Sequence, residues 1–193
     1  ATTDATATDP ITNDQNKNDV VRFRVTVREK GKRTGATEIC CGYAGLTAAL
    51  ADAGLEAIGV DWKGNPHSPQ VPIDTADLTT EKGQEFVRQL VKQEHVLYVH
   101  LAPPCGTYTR AREIPIPQWK LDRWPNMPNP KPLRSTEFPA GLPSKMSRTD
   151  TVKVQKGNMI TEFCAEIAVY CIQSGKISPT ENPTNSIIWK CPA

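Results

Sequence analysis

The chain has 193 residues, and its 23 Lys or Arg against 21 Asp or Glu leave a net charge of +2, too small to indicate a nucleic-acid partner by itself. Apolar residues make up 38% and prolines number 17, so we expect one domain with segments outside its core. No apolar run approaches ~18 residues, which excludes a transmembrane helix and a membrane partner. The N-terminus lacks both a signal-peptide pattern and an initiator Met, so we expect a processed chain or a fragment.

The six cysteines follow neither a disulfide framework nor a metal-binding pattern. Cys40 and Cys41 are adjacent, no Cys-x-x-Cys occurs, and no histidine has ligand spacing to a cysteine. We therefore expect no metal and free thiols. Free thiols indicate a reducing compartment, so the predicted location is intracellular, either nuclear or cytoplasmic.

The first 35 residues differ in composition from the rest. Residues 1–19 carry almost no large apolar group and are predicted to form a disordered tail. Residues 20–35 are predicted as a basic strand and linker, because Val and Phe alternate with Arg and Thr up to Arg28. Six basic residues against one acidic residue in 21–35 permit a nucleic-acid contact, while a solvated edge strand is the simpler interpretation.

Residues 36–193 alternate between strand and helix patterns, which favours βαβ units. The predicted fold class is α/β, a Rossmann-like doubly wound parallel sheet. The predicted strands are 37–41, 57–60, 71–73 and 96–101, and the predicted helices run from about 46 to 53, from 80 to 91 and through 160–171 to a stop at Gly175.

Residues 106–150 interrupt this alternation. They hold eight prolines and eight Lys or Arg against four acids, without apolar periodicity. We predict a long inserted loop there, and loops of this length are usually functional or disordered.

Short polar or small-residue segments follow the predicted strands, at the sheet edge where α/β proteins bind ligands. Gly42–Gly45 leads into a helix, which suits close approach to a ligand, although such turns are also common structural features. Asp61 can bind ribose hydroxyls with Trp62 stacking on a base, or both can be ordinary surface and packing residues. Asp77 can bind a ligand or cap a helix.

Two further segments could carry covalent chemistry. Pro103 and Pro104 fix a turn that presents Cys105 at the sheet edge, as a nucleophile requires, although a lone cysteine is more often inert. Glu181 and Asn182 follow another helix. If their strand neighbours the one before Cys105, the carboxyl group of Glu181 can assist the thiol as an acid or base.

Together these segments resemble the N-terminal half of the catalytic core in the C5-cytosine-specific DNA methyltransferase family. Glu38–Thr47 looks like the family's first motif, the S-adenosylmethionine loop. Asp61-Trp62 matches its acidic-Trp pair, and Asp77-Leu78 its acid near the adenine amine. Pro103–Cys105 looks like the Pro-Cys motif of the catalytic loop, and Glu181-Asn182 like the Glu-Asn motif.

The resemblance implies methyl transfer from S-adenosylmethionine to C5 of cytosine in DNA, with RNA as an alternative substrate. Cys105 would form the covalent adduct with the flipped base and Glu181 would contact N3. Arg110 and Arg112 would bind the nucleic-acid backbone. The residues implied for the cofactor are Gly42, Tyr43, Ala44, Gly45, Asp61, Trp62, Asp77, Leu78 and Pro103.

The sequence departs from the family pattern in several ways. Gly106 stands where the family has Gln, Glu181 follows Cys105 by 76 residues, and Pro179 falls in a predicted central strand. The family's later motifs do not fit before residue 193, so we expect a second chain or a C-terminal half to complete the core. Two alternatives stay open: an inactive methyltransferase-like module that binds nucleic acid or a protein, and a Rossmann-like methyltransferase acting on RNA or protein.

Overall fold

A computed structural model describes residues 34–143 and 146–191. The predicted tail 1–19 and residues 20–33 of the predicted basic strand lie outside the described residues. The strands are β1 (Gly35–Ile39), β2 (Glu56–Asp61), β3 (Asp74–Thr75) and β4 (Val96–Leu101), the α-helices are α1 (Gly45–Asp52), α2 (Glu81–Lys92), α3 (Gln118–Arg123) and α4 (Arg148–Gln173), and 3-10 turns span Arg110–Glu113 and Ile187–Lys190.

The strands form one parallel sheet in the order β3-β2-β1-β4. This confirms the predicted parallel α/β class. β1 lies in the centre, and all five of its residues are buried, as expected for a strand covered on both faces.

A further strand-like stretch, the edge segment (residues 176–181), runs parallel to β4. The N–H of Ile177 donates to the carbonyl of Leu97 at 2.8 Å, and the N–H of Leu101 donates to the carbonyl of Pro179 at 3.0 Å. Pro179 has no N–H, so the ladder lacks one bond in its middle. In the described part of the chain this segment is the outermost of the sheet, where proline is tolerated, and the expected conflict at Pro179 does not prevent pairing.

The helices cover both faces of the sheet. Glu38 and Ile39 are neighbours on β1, so their side chains point to opposite faces. The Glu38 carboxylate accepts hydrogen bonds from Thr47 in α1, whereas Ile39 belongs to the core that includes side chains of α2 and α4. α1 therefore covers one face, and α2 and α4 cover the other.

The main core lies between the sheet and the α2–α4 layer. Val87 and Val91 of α2 and Phe163 and Ile167 of α4 are buried there against the strands. Burying each side chain of this size stabilises the fold by roughly 1.5–3 kcal/mol. This packing fixes the position of the strand ends.

Two strands differ from their predicted bounds. β1 ends at Ile39 rather than residue 41, because Cys40 has a left-handed backbone with φ of 62° and leaves the extended conformation. The third strand is Asp74–Thr75 rather than 71–73, and it pairs with β2 through only two residues. Pro72, which lacks an N–H, lies in the stretch where the strand was predicted.

The stretch predicted as a 45-residue loop contains regular structure. The long connection (residues 106–147) includes a 3-10 turn and α3, and α4 begins at Arg148 instead of after residue 150. Ser147 caps α4 by accepting a hydrogen bond from the Asp150 N–H at 3.1 Å. The first turn of α4 is polar, so apolar periodicity could not locate its start, although Ser-x-x-Asp is a helix-start signal.

Arg134 attaches the long connection to α4. Its side chain is fully buried and donates to the carbonyls of Pro139 (2.6 Å) and Val154 (3.0 Å) and to the Asn158 amide oxygen (2.6 Å). Its guanidinium also lies 3.6 Å from the ring centroid of the buried Tyr108. Buried hydrogen bonds from Arg134 therefore hold the long connection against α4.

Candidate functional site at the carboxyl ends of the strands

The turn between β1 and α1 has an unusual backbone. Cys40, Gly42 and Ala44 have φ values of 62°, 52° and 57°. For a residue with a side chain the left-handed region costs roughly 1–2 kcal/mol. Two non-glycine residues in this conformation make the turn strained, and such strain is typical of ligand-binding sites.

Asp61, at the end of β2, holds this turn. One of its carboxylate oxygens accepts the Gly42 N–H at 2.7 Å, and the other accepts the Trp62 N–H at 2.7 Å. Each oxygen has a further lone pair and can accept a ligand hydroxyl as well. The structure thus brings together the predicted residues Gly42 and Asp61.

Tyr43 and Trp62, which follow Gly42 and Asp61 in sequence, carry exposed aromatic rings. They are 57% and 53% exposed, so both can contact a ligand. The Trp62 ring lies so close to Gly64 that any side chain at position 64 would overlap it. Gly64 therefore sets where the indole can lie.

The start of α1 is fixed by a buried acid. Glu38 accepts hydrogen bonds from both the N–H and the hydroxyl of Thr47. Ala44 is buried, and Gly45, the first residue of α1, lies in van der Waals reach of Tyr43 and Gln70. The negative charge near the N-terminus of α1 also favours the helix electrostatically.

Residues 65–70, the covering segment, were not predicted to take part in the site. The Asn65 amide donates to the Gly42 carbonyl at 2.7 Å, and the Gln70 N–H donates to the Tyr43 carbonyl at 2.8 Å. A methyl group at Gly42 would lie 3.6 Å from His67. The Asn-Pro and Ser-Pro pairs of this stretch signal turns, but nothing in the sequence shows that they dock on the glycine turn.

Asp77 lies before α2 and closes a turn. Its carboxylate accepts the Thr79 hydroxyl at 2.7 Å and the Thr79 N–H at 2.9 Å. These hydrogen bonds, the hydroxyl first, lower the pKa of Asp77 below its usual value. Position 83 must be glycine, because a side chain at that position would overlap the Asp77 backbone. The neighbouring Leu78 is buried. Asp77 thus has a structural role whether or not it contacts a ligand.

Cys105 is the one exposed cysteine, and all six cysteines are free and lie within the described residues. Its carbonyl accepts the N–H groups of Tyr108 (2.9 Å) and Thr109 (2.8 Å), which fixes the turn after the two prolines. Burial raises the pKa of Cys41 to about 12 and also raises the pKa values of Cys171 and Cys191. Accessibility therefore singles out Cys105 as the candidate nucleophile.

Glu181 and Asn182 lie beside the Cys105 turn. The Glu181 N–H donates to the Leu101 carbonyl at 2.8 Å, and the Asn182 amide donates to the Pro103 carbonyl at 2.9 Å. The Glu181 carboxylate is 74% exposed, with an oxygen 3.6 Å from Nε2 of His100. The edge segment thus places a carboxyl group and the thiol at the ends of adjacent parallel strands.

Arg110 and Arg112 are partly committed to the protein itself. Arg110 lies 3.5 Å from Glu113 and donates to the Thr136 hydroxyl at 3.2 Å. Arg112 donates to the Lys131 carbonyl at 2.8 Å. Both arginines fold the start of the long connection against its later part.

Two cavities lie near the helices. The larger, about 660 Å³, lies along α2 and α4 and includes none of the predicted site residues. The smaller, about 360 Å³, lies between α4 and the C-terminal 3-10 turn, and Pro103 is the one predicted site residue in its lining. Neither of these two cavities includes Gly42, Asp61 or Cys105 in its lining.

Within residues 34–143 and 146–191 no three His, Cys, Asp or Glu side chains lie close enough together to bind a metal ion. No helix there combines the length and apolar character needed to cross a membrane. Comparisons with family models, curated proteins and solved structures found no match to this chain.

Proposed function

We propose that the chain carries the catalytic half-site of an S-adenosylmethionine-dependent methyltransferase that acts on C5 of cytosine in DNA. The observation that carries the proposal is the convergence of five segments at one sheet edge. The Gly42 N–H donates a hydrogen bond to Asp61, and the Asn182 amide donates one to the carbonyl of Pro103, two residues before Cys105. The sheet order, with the edge segment parallel to β4, supports the same methyltransferase-type α/β fold.

The residues at the edge fit the cofactor by their chemistry. Asp61 offers acceptors for ribose hydroxyls, and the exposed Trp62 offers a face for the adenine. The Gly42–Gly45 turn lets the methionine moiety approach the backbone, and Asp77 with Leu78 flanks the adenine position. The cofactor would supply an electrophilic methyl group and, with the electron pair of the broken S–CH3 bond, leave as the neutral thioether S-adenosylhomocysteine.

In the proposed reaction the Cys105 thiolate adds to C6 of the cytosine, and Glu181 donates a hydrogen bond or a proton at N3. The electron pair of the C5–C6 double bond becomes available at C5, which takes the methyl group. Loss of the C5 proton to a base and cleavage of the S–C6 bond then restore the aromatic ring and the free thiol. The exposure of the Glu181 carboxylate beside the Cys105 turn supports its assignment to the N3 contact.

The first test is calorimetric titration of the chain with S-adenosylmethionine. We expect binding near micromolar strength, about −8 kcal/mol, that Asp61→Ala abolishes. Asp61→Asn, which keeps one acceptor, should retain part of the affinity, and Asp52→Ala on the exposed end of α1 should match the unchanged protein. Full binding by Asp61→Ala would remove Asp61 from the cofactor site.

The second test is a covalent trap with DNA that contains 5-fluorocytosine. Fluorine cannot leave as the C5 proton does, so an enzyme of this mechanism stays attached to the base through Cys105. We expect an adduct that Cys105→Ser abolishes and Cys191→Ser retains. If cofactor-loaded protein forms no adduct, the catalytic role of Cys105 is wrong.

A catalytically inactive methyltransferase-like module is the second candidate. The covering segment favours this second function, because Asn65 and Gln70 already donate hydrogen bonds to the carbonyls of Gly42 and Tyr43, the backbone that a cofactor would approach. Such a module would bind nucleic acid or a protein with no requirement for Cys105 or Asp61. DNA binding that persists without cofactor, together with no adduct, would support this function.

A further inference from the structure

Several exposed apolar side chains belong to the long connection. Trp119 is 64% exposed and Trp124 is 45% exposed, and they lie five residues apart. Single exposed apolar residues are ordinary, but two exposed indoles close together in the sequence favour a binding surface. The other large apolar side chains exposed in this connection are Ile114, Met127 and Phe138.

The two tryptophans are held on an ordered structure, the tryptophan lobe (residues 112–131). Two hydrogen bonds join the ends of the lobe, the neck: the Arg112 side chain donates to the Lys131 carbonyl at 2.8 Å, and the Ile116 N–H donates to the Asn129 side chain at 2.9 Å. Trp119 lies on α3, and the Trp124 N–H donates to the Lys120 carbonyl at 2.8 Å. A partner would therefore meet the indoles in a preorganised arrangement.

Each indole has a cation over one face of its ring, so a base would stack on the opposite face. Lys120 Nζ lies 5.2 Å from the centroid of Trp119, and the Arg123 guanidinium lies 4.9 Å from the centroid of Trp124. The lobe has four basic residues against two acidic ones. An aromatic face next to a positive charge matches a nucleotide, which offers a planar base next to a phosphate.

The lobe is joined directly to the candidate nucleophile. It begins seven residues after Cys105. The buried Arg134, three residues past the end of the lobe, contacts the Tyr108 ring, and the Tyr108 N–H donates a hydrogen bond to the Cys105 carbonyl. A strand bound on the lobe would thus be fixed relative to the Cys105 turn.

We propose that the tryptophan lobe binds single-stranded nucleic acid, with unpaired bases stacked on Trp119 and Trp124 and the adjoining phosphates contacted by Lys120 and Arg123. The link to a target base at Cys105 rests on the proposed function, whereas strand binding by the lobe does not require it. Bases within a duplex stack on each other and present no free face, so the assigned substrate class is unpaired DNA or RNA.

The test measures binding of the whole chain to labelled oligothymidylate, to oligouridylate and to a DNA duplex of equal length. We expect a single strand to bind more tightly than the duplex, with either sugar consistent with stacking. Trp119→Ala and Trp124→Ala should each weaken binding of the single strand roughly tenfold, and Trp→Phe should retain most of the affinity. Ile172→Ala, which changes an apolar residue on α4 that is even more exposed, should leave binding unchanged.

Retention of full strand affinity by the doubly substituted Trp119→Ala, Trp124→Ala protein would overturn the proposal, and so would a preference for the duplex. The circular dichroism of each variant checks that the fold is intact, which we expect because both side chains are exposed. Cys105→Ser and Asp61→Ala should bind the strand as the unchanged chain does. Loss of the methyl-transfer chemistry and loss of strand binding are therefore separate results.

Discussion

At the scale of single residues, Arg134 has the most unusual environment. It is fully buried, and none of its hydrogen-bond partners is a carboxylate. Burial lowers the pKa of its guanidinium from the usual value. Its charge is instead compensated by carbonyl dipoles and by the face of the Tyr108 ring. The neighbouring Gly157 leaves the room that this arrangement needs, since a methyl group there would lie 3.0 Å from the guanidinium.

We predict that Arg134→Met lowers the free energy of unfolding by about 3 kcal/mol. Methionine has a similar length but no donors, so the carbonyls of Pro139 and Val154 and the Asn158 amide would lose the hydrogen bonds that Arg134 donates. Urea unfolding followed by circular dichroism gives the difference. Arg148→Met, at the exposed start of α4, is the matched control and should change stability by less than about 0.5 kcal/mol. A similarly small change for Arg134→Met would show that the buried charge does not hold the connection.

The burial of Arg134 could not be predicted from the sequence. Its partners lie between 5 and 27 residues away along the chain, and a basic residue in a proline-rich stretch normally indicates solvent exposure. Asp61 could be predicted, because its place at the end of an apolar strand is a local feature. The hydrogen bond between Asp61 and Gly42 was not predicted, because it depends on the pairing of β1 with β2.

At the scale of elements, Arg88 joins α2 to α4. Its guanidinium donates to both carboxylate oxygens of Glu166, at 2.6 and 3.0 Å, and also to Glu81 at 2.8 Å. Arg88 also lies 5.3 Å from the centroid of the buried Phe163, so the ion pair borders the core. The hydrogen bond from Arg88 is the main reason that the pKa of Glu166 lies below its usual value of 4.5.

This pair predicts a pH dependence of stability. A carboxyl group with a lowered pKa in the folded protein stabilises the fold above its unfolded pKa, and the effect is lost as pH falls through the folded value. Glu166→Gln should therefore cost roughly 0.5–1 kcal/mol at neutral pH, since Glu166 is half exposed and its charge is screened. That difference from the unchanged protein should shrink to nothing in acid, below pH 4.5.

The measurement is urea unfolding of both proteins across that pH range. Glu94→Gln, in the exposed connection between α2 and β4, is the control and should show no such trend. A cost of Glu166→Gln that stays constant into acid would show that packing, rather than charge, joins the two helices.

Elements with a strong local pattern were predicted well. β4 has the predicted bounds, because an apolar run marks its whole length, although Leu97 is exposed rather than covered. The end of α4 was also predicted, since Gly175 has a φ of 67° that favours glycine. β3 was misplaced because a strand of two residues shows no apolar periodicity. α3 was missed because its six residues, which lie between prolines, are too few to show a helical periodicity.

At the scale of the whole molecule, the candidate site depends on pairing between parts of the chain that are far apart in sequence. Asn182 donates to Pro103 across 79 residues, and the Ile187 N–H donates to the Tyr108 carbonyl at 3.0 Å. The resemblance at Glu181-Asn182 predicted which segment would meet the Cys105 turn. The long connection between them could not be predicted, because its shape follows from buried contacts such as that of Tyr108 with Asn158.

This pairing gives a prediction that separates geometry from cofactor binding. Asn182→Ala removes the hydrogen bond that ties the edge segment to the Cys105 turn, worth about 1 kcal/mol in stability. A turn that is free to shift should slow adduct formation with 5-fluorocytosine DNA by tenfold or more, roughly the effect of misplacing a reacting group. Affinity for S-adenosylmethionine should change much less, because Pro103 is the one implied cofactor residue in this turn, whereas Gly42 and Asp61 belong to other strand ends. Asn185→Ala, an exposed amide three residues on, is the control and should alter neither quantity. An unchanged adduct rate in Asn182→Ala would show that the two strand ends act independently, whereas a parallel loss of cofactor affinity would show that the edge forms one cooperative unit.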